Sequence, residues 1–174
     1  MLAESVILTG MPGSGKSTIG RYIADRIGAD FTDTDDLIAE AGGKALQEII
    51  RSDGLEEFKR LERNVLVGLK PATPMVIATG GSAVLYDDAM LHLKSLGKIV
   101  FLDADLPLIS KRLWNAESRG IAFDEETEGM SGEERLLKTY MQREPLYYRY
   151  CDIRIHIRGR SVSDIAREII REIG

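Results

Sequence analysis

The segment Gly10–Ser17 places two glycines, a lysine and a serine at the spacing G-x-x-x-x-G-K-[ST]. Glycines at this spacing let the backbone N–H groups turn inward around phosphate oxygens, and a helix that follows adds the positive end of its dipole. Lys16 then reaches the β- and γ-phosphates, and the Ser17 hydroxyl ligates Mg²⁺. A glycine-rich turn without a ligand is the alternative, but it gives Lys16 no purpose. The pattern predicts binding of ATP with Mg²⁺, and the expected nucleotide contacts are Gly13, Ser14, Gly15, Lys16, Ser17 and Thr18.

Two further polar segments follow strand-like runs. Asp33 and Asp35 come directly after the run 29–32, and Gly80-Gly81 comes after the run 75–79. Ligands of parallel α/β sheets bind outside the carboxyl ends of the strands, so these segments should meet Gly10–Ser17 at one edge. Paired carboxylates opposite a phosphate-binding loop suit a metal ion and a hydroxyl acceptor. Helix capping by the aspartates and a simple turn at the glycines remain open.

The elements that must position these residues alternate between strands and helices. Short apolar runs that end in glycine or aspartate predict buried strands, and apolar residues at i, i+4 and i+8 predict helices. Pro145 is expected to interrupt or kink its helix. The alternation predicts a three-layer α/β/α fold with a five-stranded parallel sheet. The predicted strands are 6–9, 29–32, 75–79, 98–102 and 153–157, and the predicted helices are 16–27, 37–41, 45–52, 55–69, 87–96, 106–116, 133–150 and 163–173.

Length and composition indicate a single globular domain. The 174 residues are 44% hydrophobic and 29% charged, and they contain no repeat or linker-like stretch. Residues 117–132 lack periodicity and are rich in Glu, Gly and Ser, which predicts a mobile lid. The net charge of −5 argues against a nucleic-acid partner, and no apolar run approaches the roughly 20 residues of a membrane helix. A lone Cys151, without a basic, apolar leader at the start, predicts a cytoplasmic protein.

Several motifs, taken together, resemble the shikimate kinase family over nearly the whole chain. The combination is far more specific than any one motif. The resembling segments, each with the family pattern, are Phe31–Asp35 (F-x-D-[ST]-D), Gly54–Glu62 (G-E-x-x-F-R-x-x-E), Ile77–Val84 (A-T-G-G-G-x-V), Arg143–Tyr147 (R-x-P-L-Y), and Arg112 with Arg119, the arginine pair before and at the lid.

The resemblance implies a P-loop kinase fold and phosphorylation of one hydroxyl of a small carboxylated cyclic polyol by MgATP, with shikimate as the expected acceptor. On the ATP side it implies that Asp33 holds magnesium and that Arg119 closes over the transferring phosphoryl group. It also implies that Arg112 and the loop containing Arg160 flank the adenine. The expected catalytic residues are Lys16, Asp35 and Arg119.

On the acceptor side the resemblance implies four contacts. Asp35 would hydrogen-bond substrate hydroxyls and help to accept the reacting proton, and Gly80-Gly81 would approach the substrate through a backbone N–H of Gly81. Arg143 would pair with the substrate carboxylate, and Lys59 stands where the family has its second carboxylate-binding arginine. Arg119 as a solvated loop residue, and Arg143 in a helix-surface ion pair with Glu144 or Glu134, remain alternatives.

Three departures from the family pattern concern the acceptor side and the lid. Lys59 offers a point charge where a planar bidentate arginine is expected. Ser82 replaces the third glycine, and its side chain is expected to crowd the substrate pocket. Gly120 replaces the usual proline after Arg119. These departures leave open another small hydroxy acid or amino acid, such as homoserine, as the acceptor.

Two other classes fit the sequence less well. A nucleotide-dependent switch or binding module usually has a Walker B aspartate after an apolar strand, where this chain has Thr79-Gly80-Gly81. A nucleoside monophosphate kinase needs a basic patch for the monophosphate, where this chain has Asp33 and Asp35. We therefore expect a monomeric enzyme whose partners are ATP and a small-molecule substrate, with no nucleic acid and no membrane.

Overall fold

A computed structural model describes residues 2–114 and 129–174. Strands and helices alternate along the chain, and a short 3-10 turn at Ala83–Leu85 follows the third strand. In chain order the elements are β1 (Ser5–Thr9), α1 (Lys16–Ile27), β2 (Phe31–Asp33), α2 (Thr34–Gly42), α3 (Leu46–Asp53), α4 (Leu55–Gly68), β3 (Val76–Ala78), α5 (Asp87–Leu96), β4 (Gly97–Asp103), α6 (Leu106–Trp114), α7 (Gly132–Tyr150), β5 (Ile153–His156) and α8 (Val162–Glu172).

The five strands form one parallel sheet in the order β2-β3-β1-β4-β5. Central β1 pairs with β3 on one side and with β4 on the other, with Ile7 opposite Ile77 and Ile99. Every residue of β1 is buried, as expected for a strand covered by helices on both faces. This order brings the ends of β1, β2 and β3 to the same edge, where the three polar segments follow them.

The buried side chains form two separate hydrophobic clusters. The main core surrounds the sheet and includes Ile7, Ile77 and Ile99, all fully buried. A smaller cluster of Ile38, Ile49 and Phe58 joins α2, α3 and α4. Helices α2 and α3 therefore pack on α4 through a small core of their own, while Leu66 at the other end of α4 belongs to the core of the sheet.

The α/β fold and the order of elements agree with the sequence predictions, and α1 and α5 have the predicted bounds. Strand β2 begins and ends later than predicted, because Asp33 is both its last residue and the N-cap of α2. Helix α7 continues through Pro145 rather than breaking there. Ser161 caps α8, since its hydroxyl accepts the N–H of Asp164 at 3.2 Å. No helix within residues 2–114 or 129–174 has the length and apolar character needed to cross a bilayer.

Candidate active site

The Lys16 side chain folds back onto the backbone of the loop between β1 and α1. Gly13 and Gly15 have φ angles of 80° and 96°, a conformation that favours glycine. The Lys16 ammonium donates to the carbonyl oxygens of Gly10 at 2.9 Å and Met11 at 3.0 Å. Burial lowers the pKa of Lys16 to about 8, although the carboxylates of Asp35 and Asp33 oppose that shift. A buried ammonium at a helix N-terminus is suited to binding polyphosphate, because the negative charge of the phosphates would stabilise an ammonium that has lost its water.

Arg112 on α6 braces this loop from the side. Its guanidinium donates to the carbonyl oxygens of Gly13 at 2.9 Å and Ser14 at 3.2 Å. Arg112 thus lies at the predicted nucleotide side of the cleft. Arg160 instead forms an ion pair with Glu168 of α8 and donates to the His156 carbonyl, so its guanidinium is engaged within its own segment.

Ser17 and Asp33 join the loop to the end of β2. The Ser17 hydroxyl donates to Asp33 Oδ2 at 2.6 Å, while Asp33 Oδ1 accepts the N–H of Asp35 at 3.1 Å. Asp33 therefore caps α2 and also faces the phosphate-binding loop, so the two interpretations of this residue are compatible. A hydroxyl and a carboxylate oxygen this close are the hard oxygen ligands that Mg²⁺ accepts. The described residues contain no group of three or more His, Cys, Asp or Glu side chains suited to a metal. Two protein oxygens of this kind suit an ion that keeps several waters and binds substrate phosphates.

Asp35 projects into the cleft from the first turn of α2. The residue is accessible to solvent, but protein atoms crowd its carboxyl, and this loss of hydration raises its pKa to about 6. Repulsion from Asp33 adds to the rise, and the charge of Lys16 opposes it. A carboxylate with a pKa near neutrality accepts a proton more readily than an ordinary aspartate.

Gly80 and Gly81 lie where two walls of the cleft come closest. A Cβ on Gly80 would stand 2.7 Å from Glu62 Oε1 and 3.0 Å from Asp35 Oδ1, and a Cβ on Gly81 would stand 2.6 Å from the Pro12 ring. Only glycine fits both positions without displacement. The Gly80 N–H donates to the Thr34 hydroxyl at 3.0 Å, so this amide is already engaged within the protein.

Arg143 is a buried cation on the inner face of α7, with 1% of its surface exposed. It hydrogen-bonds the Tyr147 hydroxyl, which itself donates to the Gly81 carbonyl at 2.6 Å. A helix-surface ion pair is wrong for this residue. Glu144 accepts from the Tyr140 hydroxyl, and Glu134 closes the capping box at the start of α7. A buried guanidinium that lines the cleft has the charge and the planar geometry suited to a carboxylate.

Glu62 is a component of the site, although the sequence motifs predicted no role for it. Its side chain lines the cleft, the residue is 1% exposed, and both carboxylate oxygens lie 2.7 Å from the Ser82 hydroxyl. The signal was available in the sequence. Glu62 lies four residues after Phe58 and four before Leu66, on the apolar face of α4. The expectation that the Ser82 side chain crowds the pocket also changes, because its hydroxyl is bound to Glu62.

Lys59 is a predicted acceptor contact that does not line the cleft. Its ammonium instead forms an ion pair with Glu56 at 2.9 Å. Arg119 and Gly120 lie outside the described residues, as does most of the predicted lid.

Most of the remaining predicted residues converge on one cleft at the carboxyl edge of the sheet, whereas Ser14, Arg112 and Arg160 are absent from its lining. Its volume is about 360 Å³. One end is the phosphate-binding loop, and the opposite wall is built by α2, α4, the turn after β3 and α7. The lining includes Gly13, Gly15, Lys16, Ser17, Thr18, Asp33, Asp35, Glu62, Gly80, Gly81, Ser82 and Arg143.

Comparisons with known proteins agree with this arrangement. The chain is 36% identical to shikimate kinase of Geobacter sulfurreducens over 166 residues, which cover 95% of this chain and 88% of that one. It is 30% identical to shikimate kinase of Caldanaerobacter subterraneus, with 97% and 95% covered. A solved structure of shikimate kinase from Acinetobacter baumannii in complex with shikimate superimposes with a TM-score of 0.88 at 28% identity, covering 98% of this chain and 92% of that one.

The family model described as shikimate kinase matches residues 12–174, so the match includes both walls of the cleft and the whole of α7. The enzyme class follows from that family, since its members are ATP-dependent kinases that phosphorylate a hydroxyl group. The chain belongs to the shikimate kinase family.

Proposed function

We propose that this chain transfers the γ-phosphoryl group of ATP to the 3-hydroxyl of shikimate, giving ADP and shikimate 3-phosphate. One observation carries the proposal. A single cleft holds a phosphate-binding ammonium, a carboxylate with a raised pKa and a buried guanidinium. These three groups suit, in turn, the donor phosphates, the reacting hydroxyl and the carboxylate of the acceptor.

The donor end of the cleft binds and orients ATP. Lys16 neutralises the β- and γ-phosphates, the N–H groups at the start of α1 bind phosphate oxygens, and Arg112 holds the loop in shape. Ser17 and Asp33 are the residues that would hold Mg²⁺, which when bound neutralises charge on the transferring phosphate. Arg119 in the lid, and Arg160 near the adenine, are proposed to add positive charge and base contacts.

The acceptor end orients the hydroxyl. Arg143 pairs with the shikimate carboxylate, and the turn at Gly80-Gly81 lets the ring approach the loop closely. Asp35 accepts the proton as the hydroxyl oxygen bonds to the γ-phosphorus and the bond from that phosphorus to the bridging oxygen of ADP breaks. The protein thus contributes mainly position and charge neutralisation, as phosphoryl transfer requires.

A panel of acceptors tests the assignment. ADP release is measured in a coupled assay with shikimate, homoserine and other small hydroxy acids, each at millimolar concentration. We expect turnover with shikimate well above the rate with water alone. Absence of turnover with shikimate, together with turnover of another acceptor, would refute the choice of substrate but not the kinase chemistry.

Homoserine is retained in the panel because Lys59, which pairs with Glu56 outside the lining of the cleft, leaves the acceptor carboxylate without the second arginine of the family pattern. One arginine fork, that of Arg143, fixes the orientation of a carboxylate less completely than two forks. We further propose that the enzyme acts as a cytoplasmic monomer, since the donor groups and the acceptor groups lie in the same chain. Size-exclusion chromatography with light scattering tests the monomer, and a mass of twice 19.3 kDa would contradict it.

A further inference from the structure

Glu62 is buried yet surrounded by polar groups from three other segments. Ser82, in the turn after β3, donates to both of its oxygens at 2.7 Å, and the Tyr86 hydroxyl donates at 2.9 Å. Burial raises the pKa of Glu62 and the charge of Asp35 of α2 adds to the rise, while the hydrogen bonds from Ser82 and Tyr86 and the charge of Arg143 of α7 oppose it. Both of its oxygens already accept hydrogen bonds within the protein, so the carboxylate is not itself a direct ligand of the acceptor. Its contacts nevertheless lead to the groups that are.

The contacts of Glu62 belong to a ring of interactions on the acceptor side of the cleft, which runs through Ser82, Gly81, Tyr147 and Arg143 and returns to Glu62. Ser82 follows Gly80-Gly81 directly, so the Glu62 carboxylate holds that turn in place through the Ser82 hydroxyl. The Gly81 carbonyl accepts the Tyr147 hydroxyl, and Tyr147 is hydrogen-bonded to Arg143. Arg143 closes the ring through its attraction to Glu62. Loss of one member should therefore loosen both the turn and the guanidinium.

We propose that Glu62 and Ser82 act as a positioning pair, in which the carboxylate holds the Gly80-Gly81 turn through the Ser82 hydroxyl and holds Arg143 through its charge. The pair orients the acceptor and has no contact with ATP. Ser82 is then a specific adaptation, because glycine at this position would leave a buried carboxylate with one donor fewer. The proposal rests on the proposed function in one respect only, namely that the acceptor is shikimate.

The test compares Glu62→Gln, Ser82→Ala and the double variant with the unaltered chain. For each variant we measure KM for shikimate, KM for ATP and kcat. Hydrogen exchange of the peptide that contains Gly80-Gly81 is measured alongside. Glu57→Gln is the matched control, since this carboxylate lies on the same helix but pairs with Arg60 at the surface.

We expect Glu62→Gln to raise KM for shikimate about 10- to 100-fold, the effect of losing a buried hydrogen bond to a charged group. KM for ATP should change less than twofold. Ser82→Ala should raise KM for shikimate about threefold to tenfold. The double variant should be no worse than Glu62→Gln alone, because the two residues act as one unit. Exchange at Gly80-Gly81 should be faster in all three, and Glu57→Gln should match the unaltered chain.

Three results would overturn the proposal. The first is an unchanged KM for shikimate in Ser82→Ala, which decides the matter even if Glu62→Gln fails to fold. The second is a double variant whose effect is the full product of the single effects. The third is unchanged exchange at Gly80-Gly81. If the unaltered chain does not phosphorylate shikimate, the proposed function fails, and the exchange measurement alone then supports or overturns the pairing.

Discussion

The shifted pKa values of Asp35 and Lys16 predict a narrow pH optimum. Asp35 must be ionised to accept the proton, and its pKa is raised to about 6 by crowding and by Asp33. Lys16 must be charged to bind phosphate, and burial lowers its pKa to about 8. As pH falls through 6 the base is lost, and as pH rises through 8 the cation is lost. Activity of the free enzyme should therefore be highest near pH 7.

The expected size of the effect follows from the same values. At pH 5 about one-tenth of Asp35 is ionised, and at pH 9 about one-tenth of Lys16 is protonated. The specificity constant, kcat/KM, should thus be about tenfold below its maximum at both pH values. Unshifted groups, with pKa values of 3.8 and 10.5, would give a flat plateau between pH 5 and 9.

The assay is the initial rate of ADP release from pH 4.5 to 10 at constant ionic strength. With ATP limiting and shikimate below saturation, kcat/KM reports the unliganded enzyme. The profile of kcat should keep the acid limb but lose the basic limb, because bound phosphates keep Lys16 charged. Asp35→Asn should remove the acid limb and lower the plateau, whereas Asp88→Asn, at the surface of α5, should change neither.

The reasoning is refuted if the acid limb of the unaltered chain lies near pH 4. It is equally refuted if Asp35→Asn keeps an acid limb at pH 6, since another group would then be the base.

Asp35→Asn has a second consequence, for stability, and three further variants test Lys16, Arg143 and Lys59. Asp35→Asn should stabilise the fold by about 1 kcal/mol at pH 7, because the ionised carboxylate, whose pKa is raised in the folded state, costs stability above pH 6. Solvent screening makes this gain smaller than the full pKa shift would give. Chemical unfolding measures the free energy of unfolding, and a less stable variant would contradict the prediction. Lys16→Met should lower kcat by at least about 100-fold with an unchanged circular dichroism spectrum. Arg143→Lys should raise KM for shikimate about 10- to 100-fold, whereas Arg149→Lys, exposed on the same helix, should not. Lys59→Arg should leave KM for shikimate within about twofold, because Lys59 pairs with Glu56 outside the lining of the cleft, and a KM about tenfold lower would contradict that placement.

Sequence periodicity was sufficient for most of the fold, because long apolar patterns determine which face of a helix is buried. The bounds of α1 follow from a lysine that opens the helix after glycine and from Gly28, which ends it in the left-handed conformation. The predicted boundaries of an element were wrong where one residue belongs to two elements. Asp33 ends β2 and caps α2, and no local pattern separates those roles. Pro145 was expected to interrupt α7, but Met141, the residue four positions before it, is exposed, so water can reach the backbone at the lost hydrogen bond.

The site was predictable where a motif specifies backbone shape, and less so where side chains pair across elements. Gly10–Ser17 specifies its own loop. The pairing of Glu62 with Ser82 joins positions twenty residues apart, and the ion pair of Lys59 with Glu56 depends on which rotamer the lysine adopts. Such pairings depend on how α4 packs against the turn after β3, which sequence spacing alone does not determine.

The separate hydrophobic cluster of Ile38, Ile49 and Phe58 has a consequence for local stability and for divergence within the family. Helices α2 and α3, with the first half of α4, can open as a cooperative unit at a lower free energy than the sheet, since few buried side chains hold them, whereas Leu66 anchors the second half of α4 in the main core. Native-state exchange should find this unit less protected than β1 and β4. A change in its packing would alter the acceptor pocket while leaving the ATP loop anchored in the main core. Selection can therefore modify the choice of acceptor without rebuilding the phosphate-binding half of the enzyme.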